Sequence, residues 1–168
     1  MNTIALKDNR FTLVLQTEKY LKKFVGSKIK IDPQYVLSKS DMLGTYLYMA
    51  LDKDKYNVEF TRTKYNADFK IIIPHFYRDL GKYEFRPDAV DSCNLFMKHW
   101  FYESFIEHMN LCSMFSIRMD KSIMSFARDK NIDIDIDIQY DTLKKKYYRW
   151  RENKGQPIHK YIMEMIKD

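Results

Sequence analysis

The stretch from Asp88 to Phe115 constrains this chain more than any other. Arg86-Pro87-Asp88 has the form of a helix start, with proline ahead of the first turn. Beyond it Val90, Cys93, Asn94, Met97, Trp100, Phe101, Phe105, His108, Leu111, Cys112 and Phe115 recur at helical spacing. So many large side chains on one helix need cover from several directions, which makes it the central element of the fold.

What surrounds it can be read in outline. RFTLVLQ (10–16) has strand composition, and TEKYLKKF (17–24) reads as a short amphipathic helix. In that helix Tyr20, Leu21 and Phe24 face inward, and Lys19, Lys22 and Lys23 outward. Gly26 is expected to end it, with KIKI (28–31) as a second short strand stopped by Asp32-Pro33. Ser38-x-x-Asp41 resembles a capping box for a helix over 40–51, which Gly44 weakens slightly. YNVEFTRT (56–63) and ADFKIIIP (67–74) alternate apolar and polar residues about a KYN turn, the pattern of a β-hairpin. HFYRDLGKYEFRPDAV reads as a connector, and Met119, Ile123 and Phe126 mark a helix ending near Lys130-Asn131.

The predicted class is therefore α+β: a small N-terminal antiparallel sheet layer with hairpin 56–73, packed on a helical C-terminal half. The division falls into a 1–115 core and a 116–168 helical subdomain, or a single domain overall. With 45% hydrophobic and 15% aromatic residues, a chain of 168 can build a real core. No apolar run approaches the roughly 18 residues of a membrane span. MNTIALKDNRF lacks the apolar region and cleavage site of a signal peptide. Cys93 and Cys112 form no CxxC and read as buried thiols of a reducing cytoplasm. The expected location is the cytoplasm of a bacterial host cell, or a virion for a phage structural protein.

Charge is uneven along the chain. Residues 1–31 hold seven Lys/Arg against two acids, residues 139–168 eight against four, and the middle fourteen against seventeen. Basic ends of this kind commonly meet phosphate, although a merely solvated surface has the same composition.

NIDIDIDIQYDTLKKKYYRWRENKG (131–155) joins an alternating segment to the second basic end. Asp133, Asp135 and Asp137 mimic the start of a calcium loop, but the positions that need glycine and a bidentate glutamate hold Ile138 and Lys144. On a strand the three carboxylates would share one face, where a two-metal enzyme could use them. No partner motif accompanies them, so aspartates left in water are the expectation and an enzyme ranks third. Strict alternation favours a strand over 132–138, whereas seven residues between two helices favour a short helix or turn. The expectation leans to the latter.

From Asp141 as N-cap the chain turns helical, with Leu143, Tyr147 and Trp150 as a narrow inward stripe. Lys146 and Arg151 flank the stripe, and Lys144, Lys145, Tyr148 and Arg149 take the outward arc. Tyr148 is informative because the core does not need an aromatic there. Lysine and arginine supply phosphate contacts, tyrosine a stacking surface, and Arg149 and Arg151 could reach guanine edges. Gly155 stops this helix, and Pro157 begins another with Ile158, Tyr161, Ile162 and Met165 inward. Helix 119–129, segment 132–138 and helix 141–153 together have the order of a helix-turn-helix unit.

The histidine pairs His99/Glu103 and His108/Cys112 lie at i, i+4, but without HExxH or CxxC they read as core or boundary residues. Neither a Cys–His nucleophile nor a nucleotide-binding glycine motif is indicated. No cofactor, metal or catalytic residue is expected.

The segment FARDKNIDIDIDIQYDTLKKKYYRWR resembles the C-terminal helical ends of small phage and mobile-element proteins, over the last quarter of the chain. The resemblance implies a protein that handles DNA or assembles with partners. The leading expectation is a non-enzymatic nucleic-acid-binding protein, DNA ahead of RNA, acting through Lys144, Lys145, Lys146, Tyr148, Arg149 and Arg151, with a second contact from the basic 7–30 segment. The alternative is an assembly component or host-factor inhibitor, meeting a protein partner or a second copy through its aromatic surface and residues 157–166.

Overall fold

A computed structural model describes residues 11–29, 34–53, 65–81, 84–86 and 88–153. In chain order the elements are β1 (Phe11–Thr17), α1 (Lys19–Lys28), β2 (Tyr35–Val36), α2 (Met42–Ala50), β3 (Leu51–Asp52) and β4 (Ala67–Ile73). They continue with α3 (His75–Asp79), β5 (Glu84–Phe85), α4 (Ala89–Met114), α5 (Met119–Asp129) and α6 (Tyr140–Glu152). The fold is α+β: a small N-terminal sheet, with helices packed mostly in the C-terminal half.

Strand β4 is the middle of a three-stranded sheet. It pairs antiparallel with β1 along its whole length and parallel with β2 at Ile71 and Ile72. The register sets Leu15 opposite Phe69 and Leu13 opposite Ile71, so the apolar set of both strands shares one face. Of the expected hairpin, 67–73 is a strand; its other arm, 56–63, lies outside the described residues, as does the helix expected after Pro157.

Helix α4 lies across this sheet and collects the other helices. Phe101 is fully buried and meets Tyr20 and Phe24 of α1 edge-on, and Phe126 of α5, at centroid distances of 4.9, 5.4 and 5.6 Å. Tyr46 of α2 stacks on Phe96 at 4.5 Å. Each such ring contributes roughly 1.5–3 kcal/mol by burial alone. The polar residue Asn94 is also buried, because its amide donates to the carbonyls of Gln16 and Val90 while Thr17 donates to its oxygen. That network ties α4 to the end of β1. One apolar cluster runs from Leu15 to Tyr147 through all of these elements.

Several boundaries differ from the sequence expectation, each for a local reason. Helix α1 runs through Gly26 to Lys28, so the strand predicted over 28–31 does not start at Lys28; residues 30 and 31 lie outside the described set. The cap of α2 is Asp41 itself, accepting from the Gly44 amide at 2.7 Å, while Ser38 bonds Ser40 instead of capping. A Cβ at Gly44 would sit 1.7 Å from the Ser38 carbonyl oxygen, so glycine there permits a close crossing of the 38–41 loop. The connector after β4 contains α3 and β5, the latter pairing with β3. Leu111 and Phe115, placed inward by spacing, are exposed, while Cys112 in the same last turn of α4 is buried.

The alternating segment is neither strand nor helix. It closes on itself: the Asp137 amide donates to the Asp133 carbonyl at 2.8 Å, and the Asp135 amide to the Ile138 carbonyl at 2.8 Å. Asn131 and Asp135 take positive φ values of 53° and 67°, which Asn and Asp tolerate better than most residues. Ile132 and Ile138 drop into the core at the two ends, and Ile136 is left at the tip, 74% exposed. A strand needs a neighbouring ladder; a turn anchored by its end residues does not.

Candidate nucleic-acid interface

Helix α6 sits where the turn delivers it. The Asp135 carboxylate accepts from the Tyr140 amide at 3.0 Å, so the capping acid is Asp135 and the helix begins before Asp141. The Tyr140 hydroxyl donates to Asp120 at 2.8 Å, pinning the first turn of α6 to α5. That hydroxyl, with Arg118 and Lys144 nearby, holds the Asp120 carboxyl below its usual range.

The inward stripe is Leu143 and Tyr147, both buried, with Trp150 half-buried and stacked on Tyr147. Lys145, Tyr148, Arg149 and Arg151 are exposed and Lys144 is half-buried. The Arg151 guanidinium lies 5.9 Å from the ring centres of both Tyr147 and Tyr148, within reach of cation–π attraction. Tyr148 is therefore an exposed ring in a cationic setting.

Lys146 departs from its companions. It is only 8% exposed, and its Nζ lies 5.8 Å from the centre of the Tyr102 ring on α4. It belongs to the wall of a cleft of about 400 Å³ between α1, α4 and α6, not to the outward surface. Lys145 and Arg149 reach the rim of the same cleft, whose opposite wall carries Glu18, Tyr20, Lys98 and Tyr102. Lys98 pairs with Glu18 at 2.5 Å. Burial pushes the Tyr102 phenol up to about 12 and the Tyr20 phenol well above its usual value, and the neighbouring Glu18 carboxylate adds to both shifts. Both hydroxyls stay protonated at neutral pH.

Sequence reading did not single out Lys98, Glu18 or Tyr102. Lys98 and Tyr102 are i, i+4 on α4, which puts them on one face. Nothing local says that this face turns to α6.

The aspartates are not left in water as a group. The Asp137 side chain is fully buried, with Lys23 Nζ at one oxygen and Lys19 Nζ at 3.1 Å from the other. Asp133 also takes Lys23, and Asp135 caps α6. Burial alone would raise the Asp137 carboxyl; hydrogen bonds from Lys23 and the Asp133 amide, with the Lys19 ion pair, outweigh it and hold the group below its usual range. Of the basic 7–30 segment, residues 7–10 and 30 lie outside the described set, and Lys19 and Lys23 are engaged by these carboxylates. A second cleft of about 580 Å³ opens beside Lys19, Lys22, Lys23 and Lys70.

Among the described residues no three His, Cys, Asp or Glu side chains converge as a metal site would require. His108 Nε2 does approach Cys112 Sγ at 3.4 Å, but it also faces the Ser122 carbonyl at 3.1 Å and Ser125 Oγ at 3.0 Å. A carbonyl oxygen can only accept, so Nε2 carries the proton and is not a base for the thiol. Both cysteines are free and buried. No helix among the described residues is long and apolar enough to cross a membrane. No protein-family model, curated protein or solved structure matches this chain.

Proposed function

We propose that this protein binds nucleic acid, without catalysing a reaction, through the exposed face of α6. The observation that carries the reading is Tyr148 in place among Lys145, Arg149 and Arg151, an exposed ring between cations on a helix whose other face is anchored. Lysine and arginine neutralise phosphates, and the ring offers a surface for a base or a backbone contact. The resemblance of the last quarter to phage and mobile-element protein ends favours DNA over RNA.

The test is a polarisation titration with short single-stranded and duplex DNA over a range of salt. Affinity is expected to fall steeply with salt, and the double change Arg149→Ala with Arg151→Ala to abolish binding. Both residues are exposed, so the stability of the variant should stay within about 0.5 kcal/mol of the parent. Unchanged binding in the variant, or no binding by the parent at low salt, overturns the proposal.

A second reading has its own observation. Leu111, Met114, Phe115 and Ile117 are all exposed at the corner between α4 and α5, with Met114 at 81% and Phe115 at 72%. An apolar corner of this kind suits a protein partner in an assembly. Light scattering distinguishes the two: a defined oligomer that Phe115→Ser dissolves supports assembly.

A further inference from the structure

The cleft between α1, α4 and α6 shares the positive charge of the outward face of α6 and adds a concave seat that the face lacks. Among the described residues four cations line it, Lys98, Lys145, Lys146 and Arg149, against two carboxylates, Glu18 and Asp137, a balance of plus two. Each carboxylate has a lysine partner: Glu18 has Lys98, and Asp137 has Lys19 and Lys23 from outside the lining. The floor adds two phenols, Tyr20 and Tyr102, which burial keeps neutral and which bring no negative charge. Its volume of about 400 Å³ lies within the roughly 300–1,000 Å³ of small-ligand sites. A duplex is far too wide for it, whereas one nucleotide unit is not.

We propose that this cleft seats the phosphate monoester at the end of a nucleic-acid strand, so that the protein prefers phosphorylated strand ends to internal backbone. The inference rests on the nucleic-acid reading of α6 and adds what that site selects. An internal phosphodiester carries one negative charge, while a terminal phosphate carries about −1.5 to −2 at neutral pH. Only the terminal group matches the charge of the cleft. Its three free oxygens can also accept from several ammonium and guanidinium donors at once, as convergent lysine and arginine side chains require. Lys145 and Arg149, shared between the rim and the exposed face, carry the strand from one to the other.

Calorimetric titration of the full chain with single-stranded DNA of about eight nucleotides, within the usual range of single-strand sites, tests this. Three versions are compared: 5′-phosphate, 3′-phosphate, and hydroxyl at both ends. A phosphorylated version is expected to bind about tenfold tighter, the effect of one charge-assisted contact. The preferred end identifies which terminus is seated. Two variants then act in opposite directions: Lys98→Gln should cut the preference, and Glu18→Gln should enlarge it. A pair that served only to hold the helices together would make both variants move the same way, and that result overturns the inference.

Equal affinity for all three strands overturns it too, while salt-sensitive binding leaves the nucleic-acid reading standing. Inorganic phosphate binding as tightly as the phosphorylated strand would show a seat that reads phosphate without nucleic acid, and would also sink it. Binding by none of the strands removes both readings together.

Discussion

In α1, Lys19 and Lys23 turn to the 131–139 connector and meet Asp133 and Asp137; in α6, Lys145, Tyr148, Arg149 and Arg151 look into solvent. The two helices start from similar material. Each is short, amphipathic and set in an end of the chain with excess positive charge: seven against two in 1–31, eight against four in 139–168. They end differently because Asp133 and Asp137 of the connector pair with lysines of α1, whereas its Asp135 takes a backbone amide of α6 and none of that helix's cations. A run of lysines is therefore no measure of available positive surface. What counts is whether the fold brings carboxylates within an ion-pair distance.

The heaviest test removes the pier under both helices. Phe101→Ala takes away the ring that Tyr20, Phe24 and Phe126 pack against, and is expected to cost about 3–5 kcal/mol in urea unfolding. A loss under about 1 kcal/mol would mean that α1 and α5 are held by something other than this junction.

Next in size is Asp137→Asn, which would make α1 resemble α6. Losing the charge that Lys19 and Lys23 share should cost about 2 kcal/mol at pH 7. The carboxyl is held below its usual range, so its contribution is complete above the unfolded value of about 3.9 and disappears as pH falls through the lower folded value. Stability curves of parent and variant should converge below about pH 4. The variant should also bind DNA more tightly, with a steeper dependence on salt, because Lys19 is released and Lys23 keeps only Asp133. Unaltered salt dependence would show that α1 does not approach the nucleic acid.

The smallest effect belongs to Tyr148. Tyr148→Ala should weaken single-strand binding by about 1 kcal/mol, and Tyr148→Phe should keep it if the ring stacks. Equal losses in both variants would assign the contact to the hydroxyl instead.

Legibility followed the range of the interactions. Helix α5 was readable to its ends from Met119, Ile123 and Phe126, and α4 nearly so, because periodicity is a local signal. The stripe Leu143, Tyr147 and Trp150 was readable on the same ground, and with it the outward position of Tyr148. Lys146 was not. Its spacing from Leu143 sets it at the flank of the stripe, but its neighbour Tyr102 is 44 positions back, and nothing on α6 records that this flank meets α4. At 132–138 alternation favoured a strand and the short span between two helices a short helix or turn; the span was the better guide, because no ladder is at hand for a strand.

The α+β class, the central place of α4 and the amphipathic faces of α1 and α6 are written in the order of the residues. Those follow from side-chain size and period, which act between residues a few positions apart. The tertiary structure alone decided which cations face solvent, which aspartates are buried, and that α1, α4 and α6 enclose a cleft. Each of these depends on packing or Coulomb contacts between residues as far apart as Lys23 and Asp137, and no local pattern records such a meeting.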